Sequence, residues 1–304
     1  MRIIFMGTPD FAVPSLDILV QNGFDVVAVI TATDKYGGRG GKQLIESAVK
    51  KYAVERNIPV LQPKNLKAPD FVEELRGYRA DLQVVVAFRM LPEVVWNMPP
   101  RGTFNLHGSL LPRYRGAAPI NWAVMRGDTE TGVTTFFLRH EIDTGDVLLR
   151  RRMDIGRHET AGSVHDRMML LGAQATLDSV RMIEGGNYEL QPQDDTAATK
   201  APKIFTDTCE INFAQPTSEV FDFIRGLSPY PTAWTTLEGK KLKLFRVLPD
   251  ATPTDLPPGS FLFENGSLRI ATADGSIQVL SLQLAGKRRM EVAEFLNGYR
   301  PHGG

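Results

Sequence analysis

The chain has 304 residues, of which 42% are hydrophobic and 23% are charged, so it can bury a core and is not globally disordered. Its 35 Lys and Arg residues balance 35 Asp and Glu residues, which excludes a uniformly polycationic nucleic-acid binder but leaves room for a local basic patch. A single cysteine, Cys209, excludes an intramolecular disulfide and a cysteine-based zinc site. The opening apolar run is too short for a signal peptide, and no stretch approaches the roughly 18–20 apolar residues that span a bilayer. We therefore expect a cytoplasmic protein without membrane contact.

The first half of the chain alternates short apolar runs with helical patterns. Four runs, at residues 2–6, 25–31, 82–87 and 103–107, are predicted strands, and the first three are largely apolar without a clean alternation. Such runs are typical of a parallel sheet that helices cover on both faces. We therefore predict an α/β domain with a doubly wound, mostly parallel, Rossmann-like sheet, whose functional loops follow the carboxyl ends of the strands.

The second half changes character after a long helical pattern at residues 160–184, which Thr160 caps and a Gly-Gly pair ends. Residues 190–205 are polar, contain two prolines and show little periodicity, as a linker does. Beyond them, one short helix is followed by short β-like segments that Asn-Gly and Asp-Gly turns separate, which favours a small β-barrel. We predict a first domain, a linker and a barrel domain at residues 1–189, 190–205 and 206–304.

The turn after the first strand does not indicate a nucleotide-binding loop. Gly7-Thr8-Pro9-Asp10 lacks the G-x-G-x-x-G spacing, and Pro9 removes a backbone N–H of the kind that cradles a phosphate. The sequence also contains no G-x-x-x-x-G-K-[ST] motif. A dehydrogenase or a kinase is therefore disfavoured.

A dense group of polar residues follows at the end of the fourth predicted strand. Alternation along a strand puts Asn105 and His107 on one face, next to each other at its carboxyl end. An amide donor beside an imidazole suits the polarisation of a carbonyl and the stabilisation of the oxyanion that forms when a nucleophile adds to it. The spacing alone favours the alternative, two satisfied polar side chains at a strand end.

A second polar site lies in a glycine-containing turn between two β-rich runs. One carboxylate, of Asp143 or Asp146, would orient the imidazole and take up a proton from an attacking amine. The alternative is ordinary turn chemistry, in which the Asp side chain accepts from the backbone. No further ligand stands at a recognisable spacing, so we expect no metal site.

Basic residues are concentrated in two places. Lys35-Tyr36-Gly37-Gly38-Arg39-Gly40-Gly41-Lys42 combines four glycines with three cations, and it is either a solvated surface loop or a loop that orders on a phosphate backbone. A weaker basic spot, Gly286-Lys287-Arg288-Arg289, lies in the second domain.

Taken together, these residues resemble the methionyl-tRNA formyltransferase branch of the 10-formyltetrahydrofolate-dependent formyltransferase family, over the whole chain. Three segments carry the resemblance, namely RIIFMGTPDFA at residues 2–12, NLHGSLLPRYRGAAP at 105–119 and IDTGD at 142–146. The stretch at residues 84–92 departs from the common form, because it is one residue shorter and has Arg89 where a small residue is usual.

The resemblance implies a set of functional residues. The catalytic residues would be Asn105, His107 and Asp143. A folate-binding loop would comprise Ser109, Leu110, Leu111 and Pro112. A loop lining the pterin pocket would comprise Phe88, Arg89, Met90 and Leu91. The tRNA would be contacted by the glycine-rich loop and by an OB-like barrel, so the expected contacts are Arg39, Lys42, Lys287 and Arg288.

The implied activity is transfer of a formyl group from the co-substrate 10-formyltetrahydrofolate to the α-amine of methionyl initiator tRNA, in translation initiation. No metal, membrane or obligate protein partner is expected. A second hypothesis keeps the chemistry but changes the acceptor to a sugar-nucleotide amine or glycinamide ribonucleotide, which would need neither the basic loop nor the second domain. A third is a non-catalytic RNA-binding module, which the intact Asn105, His107 and Asp143 set disfavours.

Overall fold

A computed structural model describes residues 1–37, 41–264 and 266–299. The chain forms two compact units that alternate along the sequence. The first unit comprises Met1–Gly116, Gly132–Met153 and His165–Lys200, and the second comprises Ala117–Thr131, Asp154–Val164 and Ala201–Gly304. The sequence predicted a single division at residues 190–205, whereas each unit of the structure contains three segments of the chain. The predicted roles of the two domains and the linker stay a prediction.

The regular elements are numbered along the chain. The strands are β1 (Arg2–Gly7), β2 (Asp25–Ile30), β3 (Lys35–Gly37), β4 (Gln43–Ile45), β5 (Val60–Leu61), β6 (Leu82–Val86), β7 (Thr103–His107), β8 (Glu130–Phe137), β9 (Val147–Asp154), β10 (Ala233–Leu237), β11 (Lys240–Asp250), β12 (Phe261–Glu264), β13 (Ser267–Ala271), β14 (Ser276–Leu284) and β15 (Met290–Glu291). The helices are α1 (Val13–Gln21), α2 (Ala48–Glu55), α3 (Pro69–Gly77), α4 (Glu93–Trp96), α5 (Pro119–Met125), α6 (Ala161–Gly185), α7 (Thr217–Gly226) and α8 (Val292–Gly298).

The sheet of the first unit has the order β5-β2-β1-β6-β7-β8-β9. The pairings of β1 with β2 and β6, of β2 with β5 and of β6 with β7 are parallel, whereas β8 runs antiparallel to β7. The chain first winds outward from β1 to β2 and β5, and then returns to β6 on the other side of β1. The strand order therefore reverses between β1 and β6, and such a switch point is where open α/β sheets bind ligands.

Apolar side chains fill both faces of this sheet, which explains the continuous apolar runs in the sequence. On one face, Ile4, Met6 and Val85 belong to a cluster with α3 and α4. On the other face, Leu106 packs against Gly172 of α6. Burial on both sides is the arrangement expected of a parallel sheet between helical layers.

The second unit is built on an antiparallel sheet with the order β10-β11-β14-β13-β12, in which β15 also pairs with β14. The apolar side of α7, with Val220 and Ile224, packs into the core of this sheet. Asp274 fixes the start of α7, since its Oδ1 atom accepts from the backbone N–H of Thr217 at 2.7 Å. The predicted fold class, a mostly parallel α/β sheet followed by a small β domain, is confirmed.

Candidate active site

Two polar side chains stand next to each other at the carboxyl end of β7. In the parallel register Val85 of β6 lies opposite Asn105. Because side chains alternate along a strand, Asn105 and His107 project to one face, while Leu106 projects to the other face, toward α6. The pair that the spacing predicted is therefore formed on the face that α3 and α4 cover.

His107 is held between a backbone carbonyl and a carboxylate. Its Nε2 atom is 2.9 Å from the carbonyl oxygen of Tyr114 and must be the donor, because a carbonyl oxygen only accepts. Its Nδ1 atom lies 3.8 Å from Oδ2 of Asp143, and the two side chains are only 7% and 12% exposed. A neutral ring protonated at Nε2 has a lone pair on Nδ1, so Nδ1 and the carboxylate would then both be acceptors. The two groups therefore face each other at more than hydrogen-bond distance, on the side of the ring that Tyr114 leaves available.

Asp143 lies in a tightly constrained loop between β8 and β9. Its φ angle is 58°, in the left-handed region, and its Oδ2 atom accepts from the backbone N–H of Gly116 at 2.9 Å. At Gly145, a Cβ atom would lie 1.6 Å from the carbonyl oxygen of Phe137, so only glycine fits there. The backbone thus fixes where the carboxylate stands.

The side-chain amide of Asn105 is half-buried on the same face as His107. No other residue in the described ranges forms a hydrogen bond with this amide. An amide N–H that the fold leaves available can donate to an oxygen of a bound molecule. With the His107–Asp143 pair beside it, this arrangement could in chemical terms stabilise an oxyanion and receive a proton.

The predicted folate-binding loop directly follows β7 and is held internally. The hydroxyl of Ser109 donates to the carbonyl oxygen of Arg113 at 2.6 Å, so it is engaged within the loop and is not an activated nucleophile. The hydroxyl of Thr134 donates to the carbonyl oxygen of Ser109 at 2.7 Å and accepts from the N–H of Leu111 at 3.0 Å. Leu111 is buried, whereas Leu110 and Pro112 are half-buried.

The predicted pterin loop follows β6, at the switch point of the sheet. Leu91 is buried and Phe88 is half-buried against the cluster beneath α3 and α4, whereas Met90 is 72% exposed. The guanidinium of Arg89 donates to the carbonyl oxygens of Pro63 and Lys64. Arg89, which departs from the usual small residue, thus fastens this loop to the segment after β5.

Comparisons with known proteins identify relatives of this chain. The chain matches the family model described as "Formyl transferase" over residues 1–180 and the model described as "Formyl transferase, C-terminal domain" over residues 203–300. It is 54% identical to a methionyl-tRNA formyltransferase of Parabacteroides distasonis, over 99% of this chain and 96% of that protein. The chain belongs to the methionyl-tRNA formyltransferase family. The predicted resemblance is thereby confirmed.

Two solved structures share the fold of this formyltransferase at low sequence identity. The sugar 3N-formyl transferase WlaRD, solved in the presence of dTDP and 5-N-formyl-THF, is 19% identical, with a TM-score of 0.70 over 95% of this chain and 99% of that chain. HypX from Aquifex aeolicus, in complex with tetrahydrofolic acid, is 21% identical, with a TM-score of 0.65 over 97% of this chain. The matched region is 47% of the HypX chain, so this formyltransferase spans about half of that protein.

The predicted tRNA-contacting residues differ in their surroundings. Arg39 lies outside the described residues. Lys42 is exposed next to β4, and Lys287 is exposed after β14. Arg288 is also exposed, but its guanidinium forms an ion pair with Glu294, which offsets part of its charge.

Three further observations concern metal binding, membrane helices and His140. In the described ranges, no cluster of three or more His, Cys, Asp or Glu side chains could hold a metal ion. Over the same residues, no helix is long and apolar enough to cross a membrane. His140 is exposed and lies 3.5 Å from Glu93, so it stands apart from the His107–Asp143 pair.

Three residues that shape the site were not singled out from the sequence. Gly145 could have been found from its place in the Asp-Thr-Gly-Asp motif, where a glycine follows the predicted catalytic acid. Thr134 lies in a β-rich run and gives no signal of its hydrogen bonds to the folate-binding loop. Gln193, 50 residues after Asp143, donates to backbone carbonyl oxygens, which every residue has, so no motif marks it.

Proposed function

We propose that this enzyme transfers the formyl group of 10-formyltetrahydrofolate to the α-amine of methionyl initiator tRNA, with Asn105, His107 and Asp143 as its catalytic residues. The observation that carries the proposal is the nearly buried His107–Asp143 pair, next to an Asn105 amide that no other described side chain or backbone group engages. The proposed acceptor implies a cytoplasmic enzyme of translation initiation.

Each catalytic residue has a role that its contacts suggest. The α-amine attacks the formyl carbon, and the amide N–H of Asn105 donates to the oxygen that becomes negative. Because Tyr114 occupies Nε2 of His107, Nδ1 is the ring atom left for the reaction. Asp143 orients this ring and accepts the proton that the amine loses, directly or through water. As the bond between the formyl carbon and N10 breaks, N10 takes up a proton and tetrahydrofolate leaves.

The two loops at the carboxyl ends of β6 and β7 are the proposed folate site. Phe88 and Leu91 would provide apolar walls, with Arg89 and Met90 at the rim. The loop of Ser109, Leu110, Leu111 and Pro112 would present its backbone to the co-substrate, since the Ser109 hydroxyl is already engaged. The HypX structure is a complex with tetrahydrofolic acid, which supports this choice of ligand class.

For the acceptor, we propose that the glycine-rich segment with Arg39 and Lys42 contacts the tRNA backbone. Strands β3 and β4, which flank this segment in the sequence, pair antiparallel, and their Tyr36, Leu44 and Ile45 side chains are exposed. Lys287 and Arg288, in the proposed barrel domain at residues 206–304, would add further phosphate contacts. The proposed organisation is a catalytic domain at 1–189, a linker at 190–205 and this second domain.

The competing acceptors are a sugar-nucleotide amine and glycinamide ribonucleotide. The fold does not separate them from the tRNA, because the sugar 3N-formyl transferase WlaRD has a similar structure. The 54% identity to a methionyl-tRNA formyltransferase over nearly the whole chain favours the tRNA acceptor.

A direct transfer assay tests the proposal. The enzyme is incubated with 10-formyltetrahydrofolate and, separately, with methionyl initiator tRNA, an amino-sugar nucleotide or glycinamide ribonucleotide. We expect formylation of the tRNA with a kcat/KM at least about a hundredfold above that for either small acceptor. Faster transfer to a small acceptor would overturn the choice of acceptor, and no transfer to any of them would overturn the proposed activity.

A further inference from the structure

The polar segment predicted to be a linker contacts the candidate active site along part of its length. Residues 191–199, called the strap below, run beside the loops that follow β7 and β8. Gln191 pairs with Val147 through two backbone hydrogen bonds of 2.8 and 2.9 Å. Thr199 accepts from the N–H of Tyr114 on its hydroxyl at 2.8 Å and from the N–H of Arg115 on its carbonyl oxygen at 2.8 Å.

In the middle of the strap, the side chain of Gln193 connects these two loops. Its Nε2 atom donates to the carbonyl oxygen of Asp143 at 2.9 Å and to that of Gly145 at 2.8 Å. Its Oε1 atom accepts from Nε and Nη2 of Arg115 at 3.2 and 2.9 Å. Both amide protons and both acceptor positions of this half-buried side chain are therefore used.

The orientation of the Gln193 amide is set by its partners. Arg115 can only donate, so it must face the amide oxygen, and the two loop carbonyls can only accept, so they must face the amide nitrogen. Arg115 is itself fixed by Asp195 of the strap, 2.7 Å away. The strap thus aims two N–H groups at the backbone around the catalytic acid.

The hydrogen bonds of Gln193 hold the Asp143 loop at a point where its backbone is strained. Asp143 has a left-handed φ angle of 58°, which costs free energy for a residue with a side chain. Its carboxylate stands 3.8 Å from His107, so a small rotation of the peptide that Gln193 binds would change that separation. A displacement of about 1 Å at a reacting group can lower a rate by about a hundredfold.

We propose that Gln193 is a positioning residue for the transfer reaction, which holds the peptide carbonyls of Asp143 and Gly145 and thereby keeps the Asp143 carboxylate facing His107. The inference rests on the proposed function, because it assumes that Asp143 takes part in the chemistry. Gln193 itself touches neither the folate nor the amine in this role.

Two substitutions of Gln193 separate positioning from support of the strap. Gln193→Met removes both donors and the acceptor at similar volume. Gln193→Glu keeps an acceptor for Arg115, with an added ionic attraction, but places an oxygen against the two loop carbonyls. If Gln193 only anchored the strap to Arg115, Gln193→Glu would be the milder change. If its N–H groups position Asp143, Gln193→Glu is at least as harmful as Gln193→Met.

The measurement is steady-state formylation of methionyl initiator tRNA, together with the melting temperature of each variant. We expect both variants to lower kcat by about ten- to hundredfold, with the KM for each substrate within about twofold of wild type. Gln191→Met is the matched control, because it makes the same substitution on the same strap. The side-chain amide of Gln191 contacts Arg150 and not the Asp143 loop. The Gln191→Met variant is expected to retain kcat within about threefold.

The outcomes distinguish this inference from the proposed function. Wild-type kcat in Gln193→Met, or a nearly normal Gln193→Glu beside a slow Gln193→Met, would overturn the positioning role. A parallel Asp143→Asn variant shows which of the two proposals fails. If Asp143→Asn is inactive while Gln193→Met is fully active, only the positioning role of Gln193 is refuted. Normal turnover in Asp143→Asn would refute the catalytic role on which the inference rests.

Discussion

The imidazole of His107 and the carboxylate of Asp143 face each other across 3.8 Å, although about 35 residues separate them in the chain. This separation is longer than a hydrogen bond, and both side chains are nearly buried. Tyr114 engages the far side of the ring, and Gly116 engages the carboxylate. Backbone groups from one loop therefore hold both partners.

Asp143→Asn is expected to lower kcat by about 10²–10⁴, because the amide keeps an oxygen for the N–H of Gly116 but cannot accept the amine proton. Binding of the folate and of the tRNA should change by less than about twofold. Steady-state kinetics over a range of both substrates checks this. Asp146→Asn is the control, since Asp146 pairs with Arg139 in the same loop and should retain nearly normal turnover.

Asn105→Ala should lower kcat by about 10²–10³, the usual effect of removing one oxyanion donor. The half-buried position of Asn105 at the end of β7 means that the truncation removes little packing, so the melting temperature should stay close to that of wild type. The exposed Asn187→Ala serves as the control. Turnover within about threefold of wild type would exclude Asn105 as the oxyanion donor.

Gly145→Ala should lower both the melting temperature and kcat, because its Cβ atom would lie 1.6 Å from the carbonyl oxygen of Phe137 and the Asp143 loop would have to move. Thermal denaturation and formylation assays report the two effects. Gly77→Ala provides the contrast, since Gly77 ends α3 with open space around it and alanine favours helices by up to about 1 kcal/mol. An unchanged Gly145→Ala enzyme would contradict the close approach.

Lys42→Ala should weaken binding of methionyl initiator tRNA and make its salt dependence shallower, by about 0.7–0.9 in the slope of log K against log salt for one lost phosphate contact. Arg288→Ala should have a smaller effect, because Glu294 already pairs with Arg288. Binding titrations at several salt concentrations measure both slopes. Equal slopes for Lys42→Ala and wild type would remove Lys42 from the interface, while folate affinity should not change in either variant.

The base of the β3–β4 hairpin should weaken in acid. Lys50 binds both Asp34, just before β3, and Glu46, just after β4. The hydrogen bonds from Lys50 and then Gln62 lower the pKa of Asp34 below its ordinary value of 3.8. A lowered pKa in the folded state means that the ionised carboxylate stabilises the fold above about pH 3.8, and that this contribution is lost as the pH falls through the lower, folded value.

Asp34→Asn tests this dependence, because asparagine does not titrate. We expect the wild-type enzyme to melt at a higher temperature than the variant at pH 5, and the difference to shrink as the pH falls toward 3. Thermal denaturation at intervals of half a pH unit gives the comparison. A difference that stays constant across this range would show that the carboxylate charge does not stabilise the hairpin base.

Long apolar or periodic segments could be predicted from the sequence, and short elements could not. The fourth predicted strand, at residues 103–107, has the same bounds as β7, in which the apolar Phe104 and Leu106 are buried on one face and the polar Thr103 and His107 on the other. The helical pattern at 160–184 matches α6, and the Thr160 hydroxyl caps it by accepting from the N–H of Ser163. The β3–β4 hairpin went unrecognised, since strands of three mostly exposed residues carry no pattern of alternating burial.

Only the part of the candidate site that lies on a single strand, β7, could be predicted from the sequence pattern. Alternation alone put Asn105 and His107 on one face. That Asp143 meets His107 came from the family resemblance, because spacing along the chain says nothing about a distant loop. Gln193 could not be predicted, since its partners are backbone carbonyls and its segment has the composition of a linker.

The antiparallel direction of β8 has a consequence for how the acid reaches the imidazole. Phe137, where β8 ends, lies opposite Phe104, whereas His107 lies opposite Thr134. Strand β8 therefore ends beside the amino end of β7. Phe104 and His107 are three residues apart, so at about 3.3 Å per residue the end of β8 lies about 10 Å from the level of His107. The loop after β8 must run back over this distance, so the number of residues in the loop determines whether Asp143 reaches His107. Insertions and deletions there should be tolerated far less than in the other connections of the sheet.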